Sequence, residues 1–203
     1  MATAPAVERY TFKDFCLLIK DGQKGDLIDG VIHVASPDNT SSNQLAMWLG
    51  GLIDLFVETH DLGQVFASRV AFRLAEDQGP EPNLAFLHKD RLHLVRRGYV
   101  EGPPDVAVEI VSPDSVERDY ETKREQYRKA CVPEYWIVDE MQQRFLMLRR
   151  TAAGAYREVR PRQGVLHSQA LPGFWLRPEW LWQQPRPKKT VVLAEILRQE
   201  PPE

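Results

Sequence analysis

Several features are scarce in this chain of 203 residues. It has two cysteines, Cys16 and Cys131, widely separated and without the paired spacing of a metal site. That excludes a disulfide framework and a zinc ribbon, and both read as small buried hydrophobes of a protein in a reducing compartment. No apolar run reaches the roughly 18 residues of a membrane span. The stretch from Met1 to Glu8 lacks the basic-then-apolar order of a secretory leader, so the expected location is the cytoplasm. The five histidines, His33, His60, His88, His93 and His167, are scattered without zinc spacing. There is no glycine-rich phosphate loop and no Gly-x-Ser-x-Gly elbow, which removes P-loop hydrolysis and the common esterase designs. Internal repeats and low-complexity segments are absent. Positive charge is not in excess either. A formal net charge of −3 argues against a strongly basic surface for nucleic acid.

What is present is a chain with 43% hydrophobic and 27% charged residues, long enough for one well-filled core and short for two. Residues 1–203 therefore read as a single domain, with 185–203 a peripheral tail helix. The most informative stretch runs from Pro104 to Pro113. Val106, Val108 and Ile110 fall on one face of a period-two strand, while Ala107 and Val111 share the other with Asp105 and Glu109. Both faces are mostly apolar, so the strand is central and covered on each side. A carboxylate inside such a strand is costly unless it is paired, protonated or metal-bound. Glu109 is that carboxylate, and the helix expected from about Tyr120 to Ala130 delivers Lys123 after it. Asp105 lies roughly 13 Å from Glu109 along an extended chain, too far for both to grip one ion.

Elsewhere, Thr11 opens a short helix with Phe12, Phe15 and Ile19 at helical spacing. Asp26 to Ala35 reads as a hairpin turning at Asp29-Gly30. Leu45, Trp48, Leu49, Leu52, Ile53 and Phe56 form one apolar helical stripe, along which Gly50 and Gly51 mark a close backbone approach. Gly63 to Ala75 alternates as one strand, and Gly79 to Pro82 turns into another from Asn83 to Leu87. Tyr135–Asp139 and Phe145–Arg150 pair across a polar loop, with Ala155–Val159 as an edge. Cys131 stands where a helix commonly ends in glycine.

Residues Gly102 to Glu140, with Val108-Glu109-Ile110-Val111-Ser112-Pro113 and Pro133-Glu134-Tyr135-Trp136-Ile137-Val138-Asp139 as their most specific runs, resemble the Uma-two restriction-endonuclease family, a branch of the PD-(D/E)xK nuclease superfamily. The resemblance extends to Gly25–Gly30, Ser36-Pro37, Gly79–Phe86 and Leu171–Phe174. It implies an α/β, restriction-endonuclease-like fold, a mixed central sheet flanked by helices. It also implies a metal-dependent endonuclease hydrolysing DNA as a homodimer, with Mg²⁺ that Mn²⁺ can replace. By the same resemblance the metal would be held by Asn83, Glu109 and the main-chain carbonyl of Ile110, and the catalytic set would be Glu109, Lys123 and Asn83. The lysine that many members carry two residues after the glutamate is Val111 here, and Lys123 takes its place from the helix. The family's Pro-Asp is Pro82-Asn83 in this chain. An amide oxygen can ligate a hard cation but brings no charge.

Each residue has a plainer reading. Glu109 could be a structural carboxylate paired with Lys123 or Arg124, and Lys123 a surface lysine. Asn83 could be a turn residue. Glu81 points to the same side and could supply the missing charge. Asp105 would cap a turn or position a water, and Asp119 would cap the helix carrying Lys123. Lys89, Arg91, Arg96 and Arg97, with Arg118, Lys123, Arg124, Arg128 and Lys129, form either a locally basic cleft or a set of solvated charges. Trp175, Trp180 and Trp182, together with the apolar tail, offer more hydrophobic surface than a small domain hides, again suggesting a second copy. Two functions of different class stand open: an active endonuclease, or a nuclease-fold protein that binds nucleic acid or protein without turnover.

Overall fold

The computed structural model describes residues 8–19, 23–37 and 39–198. The final residues of the expected tail helix, 199–203, and most of the segment read for a leader lie outside them. Helix α1 (Phe12–Leu18) starts in a capping box, the Thr11 hydroxyl accepting from Asp14 N while the Asp14 carboxylate accepts from Thr11 N. Strands β1 (Gly25–Ile28) and β2 (Val31–Val34) form the expected hairpin, with Asp29 and Gly30 both at positive φ. Helix α2 (Thr40–Thr59) is capped by Asn39.

The stretch 63–75 is not one strand. It divides into β3 (Gly63–Ala67) and β4 (Ala71–Arg73), which belong to different sheets, because Arg69 takes φ +78° between them. Alternation continues through the break, so periodicity alone could not show it. Strand β5 (Leu84–His88) follows, then a 3₁₀ segment and the short strands β6 (Val95–Arg96) and β7 (Tyr99–Glu101), which form a small sheet with β4. Next come β8 (Val106–Ile110), a π-helical turn (Arg118–Thr122), α3 (Lys123–Lys129), β9 (Glu134–Asp139), β10 (Arg144–Arg150) and β11 (Tyr156–Glu158). The last described elements are β12 (Leu166–His167), β13 (Trp175–Leu176), α4 (Glu179–Trp182) and α5 (Lys189–Arg198).

The main sheet has the order β11-β10-β9-β8-β5-β3, with β8 and β9 parallel and the other neighbours antiparallel. This is the mixed central sheet flanked by helices. On one face Val106, Val108, Ile110, Trp136 and Met147 pack with the apolar stripe of α2. That helix sits close: a Cβ on Gly50 would come within 2.7 Å of Leu84 Cδ2. On the other face Ala107, Val111, Ile137 and Leu146 pack with Tyr127 of α3. Both faces of β8 are therefore covered, and Glu109 lies with Ala107 and Val111 on the α3 side.

Two further expectations fail. Cys16 and Cys131 are exposed, not buried; Cys131 takes the left-handed position after α3 at φ +63°. Trp175 and Trp180 lie inside the core, and Val192 and Ile196 of α5 join the same cluster as α2. That apolar surface is used within the chain, and the argument for a second copy loses this support. Among the described residues no helix is long and apolar enough to cross a membrane.

Candidate active site

The site is built from three neighbouring elements. Strand β8 ends at Ile110, before Ser112-Pro113, where the Ser115 hydroxyl accepts from Ser112 N and closes a tight turn. The chain then enters the π-helical turn, an irregularity that often marks functional positions. It sets Asp119 and Lys123, four residues apart, on the same inward side, and both are buried. In the antiparallel register of β5 and β8, Leu84 opposes Val108, so Asn83 stands just beyond the last pair, across from Glu109. A cavity of about 250 Å³ is lined by Asn83, Glu109, Ile110 and Lys123, and also by Asp26, Arg118 and Asp119. The residues expected from the sequence are thus brought together.

Lys123 is the hub. Its Nζ lies 2.9 Å from Glu109 Oε1 and 2.9 Å from Asp26 Oδ2, with Asp119 Oδ1 at 3.9 Å. Burial works against its charge, but Asp26, Glu109 and Asp119 outweigh burial and raise its pKa above that of an ordinary lysine. Tyr127 also donates to Glu109 Oε1, at 2.8 Å. Both hydrogen bonds from described residues thus go to Oε1 and leave Oε2 available. Arg124, the other partner weighed for Glu109, is exposed.

Asp26 was missed by sequence reasoning. Burial alone would raise its pKa, yet Lys123, Lys24 and the Glu81 N–H hold it below the usual carboxylate range. The signal that singled out Glu109, a carboxylate in a short strand whose other residues are all buried, was there; the hairpin turn beside it made Asp26 look like a polar hairpin residue. Glu81 does not line the cavity and does not supply the missing charge. Its Oε2 accepts from Gly25 N at 3.0 Å, its own N–H donates to Asp26 Oδ1, and burial pushes its pKa up to about 7. It fixes β1 against the segment before β5.

Asp119 is not the helix cap. Its Oδ2 accepts from the Ser115 hydroxyl at 2.5 Å, its carbonyl accepts from the Tyr135 hydroxyl, and burial pushes its pKa up to about 7 against the pull of Lys123. Asp105 is also structural, accepting from His88 N at 2.7 Å and pairing with Arg91 at 2.8 Å.

Asn83 Oδ1 accepts from Ile110 N at 3.0 Å. This consumes one of its two lone pairs. Among the described residues no group of three or more His, Cys, Asp or Glu side chains is arranged to hold a metal. Among the lining residues, the groups that could hold a cation beside the basic Lys24, Arg118 and Lys123 are oxygens: the Glu109 carboxylate and the remaining lone pair of Asn83. Such a lean oxygen set suits Mg²⁺, which binds through one or two carboxylates, keeps several waters and shares substrate phosphates.

Residues 10–179 match the family model described as Uma2, putative restriction endonuclease. A crystal structure of a putative nuclease belonging to DUF820 from Anabaena variabilis ATCC 29413 is similar, with a TM-score of 0.69 and 16% identity, covering 85% of this chain and 97% of that chain. At that identity the likeness is one of fold. No curated protein matches the chain.

Proposed function

The chain belongs to the Uma2 restriction-endonuclease family, and on that premise we propose that it is a metal-dependent endonuclease hydrolysing DNA phosphodiester bonds. The observation that carries this reading is the convergence of Glu109, Asn83 and Lys123 on one cavity at the end of β8. Glu109, Asn83 and the Ile110 carbonyl would hold Mg²⁺, or Mn²⁺ in its place, and the bound ion would polarise a water and offset charge at phosphorus.

The rest falls to the chain's own groups. A lysine whose pKa is raised keeps its proton at neutral pH, so Lys123 serves to offset charge growing on the phosphate, not to deprotonate water. Asp26 positions that ammonium together with Glu109, and Tyr127 fixes the Glu109 carboxylate. Arg118 and Lys24, which also line the cavity, would meet the phosphates flanking the scissile one. Cutting both strands of a duplex takes two such sites, so the active form is proposed as a homodimer.

The neutral Asn83 favours a second reading, a nuclease fold that binds nucleic acid without turnover. Supercoiled plasmid incubated with the pure protein and Mg²⁺ or Mn²⁺ separates the two. Nicking that EDTA stops and Glu109→Ala abolishes supports the enzyme; retained binding without nicking in either metal rejects it.

A further inference from the structure

We propose that a second site, an arginine-lined groove at the β10–β11 edge, anchors duplex DNA through its phosphodiester backbone, separately from the cavity around Glu109. The groove has a volume of about 720 Å³ and is lined by Arg149, Arg150, Arg157, Arg160, Arg162 and His167. Glu158 is the one acidic side chain in its lining.

Positive charge here is left uncompensated. Arg149 is matched by Glu134, 3.1 Å away. Among the described residues no carboxylate pairs with Arg150, Arg157, Arg160 or Arg162. Arg157 also stands directly across from Arg149 in the β10–β11 register, and like charges directly opposite on neighbouring strands are destabilising. That repulsion is a cost to the isolated chain that an anion in the groove would remove. A guanidinium presents forked donors that match phosphate oxygens two at a time. Three unpaired forks, those of Arg157, Arg160 and Arg162, spread over such a groove exceed what one free phosphate can use, whereas a nucleic-acid backbone supplies a row of phosphates.

The groove is distinct from the candidate active site. Glu134 and Arg149 share the α2 side of the sheet with Trp136 and Met147, whereas Glu109 lies on the α3 side. By register, three strand spacings and three residues of rise separate Arg157 from Glu109, roughly 17 Å between Cα atoms. The choice of DNA rests on the nuclease reading, which leaves a chain of net charge −3 and a partly acidic cavity in need of a place to hold a polyanion.

The test is fluorescence anisotropy of a labelled duplex of about 20 base pairs in EDTA, between about 50 and 200 mM salt. It compares the wild type with a variant combining Arg157→Ala, Arg160→Ala and Arg162→Ala. The three arginines are exposed, so folding, checked by circular dichroism, should be unchanged. The arginine variant should lose tenfold or more in affinity and its log–log salt slope should shrink by about three. Equal affinity and slope in the arginine variant, no binding by the wild type, or displacement by polyglutamate as effective as by unlabelled duplex would each overturn the proposal. Plasmid nicking is scored separately: binding that depends on the arginines in a protein that never nicks leaves the groove standing and removes the nuclease.

Discussion

Replacing Lys123 by methionine, close in length but uncharged, tests whether the buried charges at the end of β8 are arranged as described. The ammonium is enclosed by Asp26 and Glu109, and all three groups are nearly inaccessible, at 2%, 2% and 1% exposure. Both carboxylate oxygens lie 2.9 Å from Nζ, so they are at most roughly 6 Å apart; at an effective dielectric near 20 their repulsion is about 3 kcal/mol. Removing one partner of a buried pair generally costs about 3–5 kcal/mol, because the remaining charge stays desolvated. The cost must depend on pH. Lys123 holds the pKa of Asp26 down, and without it burial raises that pKa in the folded state, so the variant binds more protons folded than unfolded and loses stability as pH increases above the carboxylate range. Urea denaturation in EDTA should show a loss of about 3–5 kcal/mol at pH 8 and a clearly smaller one at pH 5. Added Mn²⁺ should restore part of the loss, since a divalent cation can replace the missing charge. A variant within about 1 kcal/mol of wild type at pH 8 would show that the two carboxylates are solvated, and the reasoning about this site would fail.

Two more outcomes follow from neighbouring residues. In Asn83→Asp one carboxylate oxygen keeps the bond to Ile110 N and the other faces the cavity as an anion, so calorimetry should find tighter Mn²⁺ binding and plasmid nicking should rise or appear; unchanged affinity would mean that position 83 is not a ligand. Asp119 has its pKa pushed up from 3.8 to about 7 by burial, so the folded protein holds a proton that the unfolded chain releases, and its contribution falls as pH rises through that window and is level above it, by up to about 4 kcal/mol in all. Asp119→Asn should flatten the stability profile between pH 4 and 7, and profiles that stay parallel would reject this assignment.

The sequence by itself determined the elements whose signals are local. The capping box at Thr11, the Asp29-Gly30 turn and the stripe along α2 all act between residues a few positions apart, and they form where the pattern places them. It also determined that β8 is central, because apolar residues on both faces admit no exposed side, and hence that Glu109 needed a partner. The sequence left that partner open between Lys123 and Arg124, and the fold decides for Lys123, 14 residues downstream and 2.9 Å away. Tertiary structure decided the rest. Only the packing of β1 against α3 brings Asp26 to Lys123, a contact across 97 residues of chain that no periodicity encodes. Only the positive φ at Arg69 divides a stretch whose alternation is unbroken. The tryptophans looked like spare surface because composition counts apolar residues without knowing what covers them; α2 and α5 cover them. The arginine groove was invisible for the same reason, since its charges come from β10, β11 and the segment after them, and charges so spaced in sequence read as ordinary surface until the fold sets them side by side.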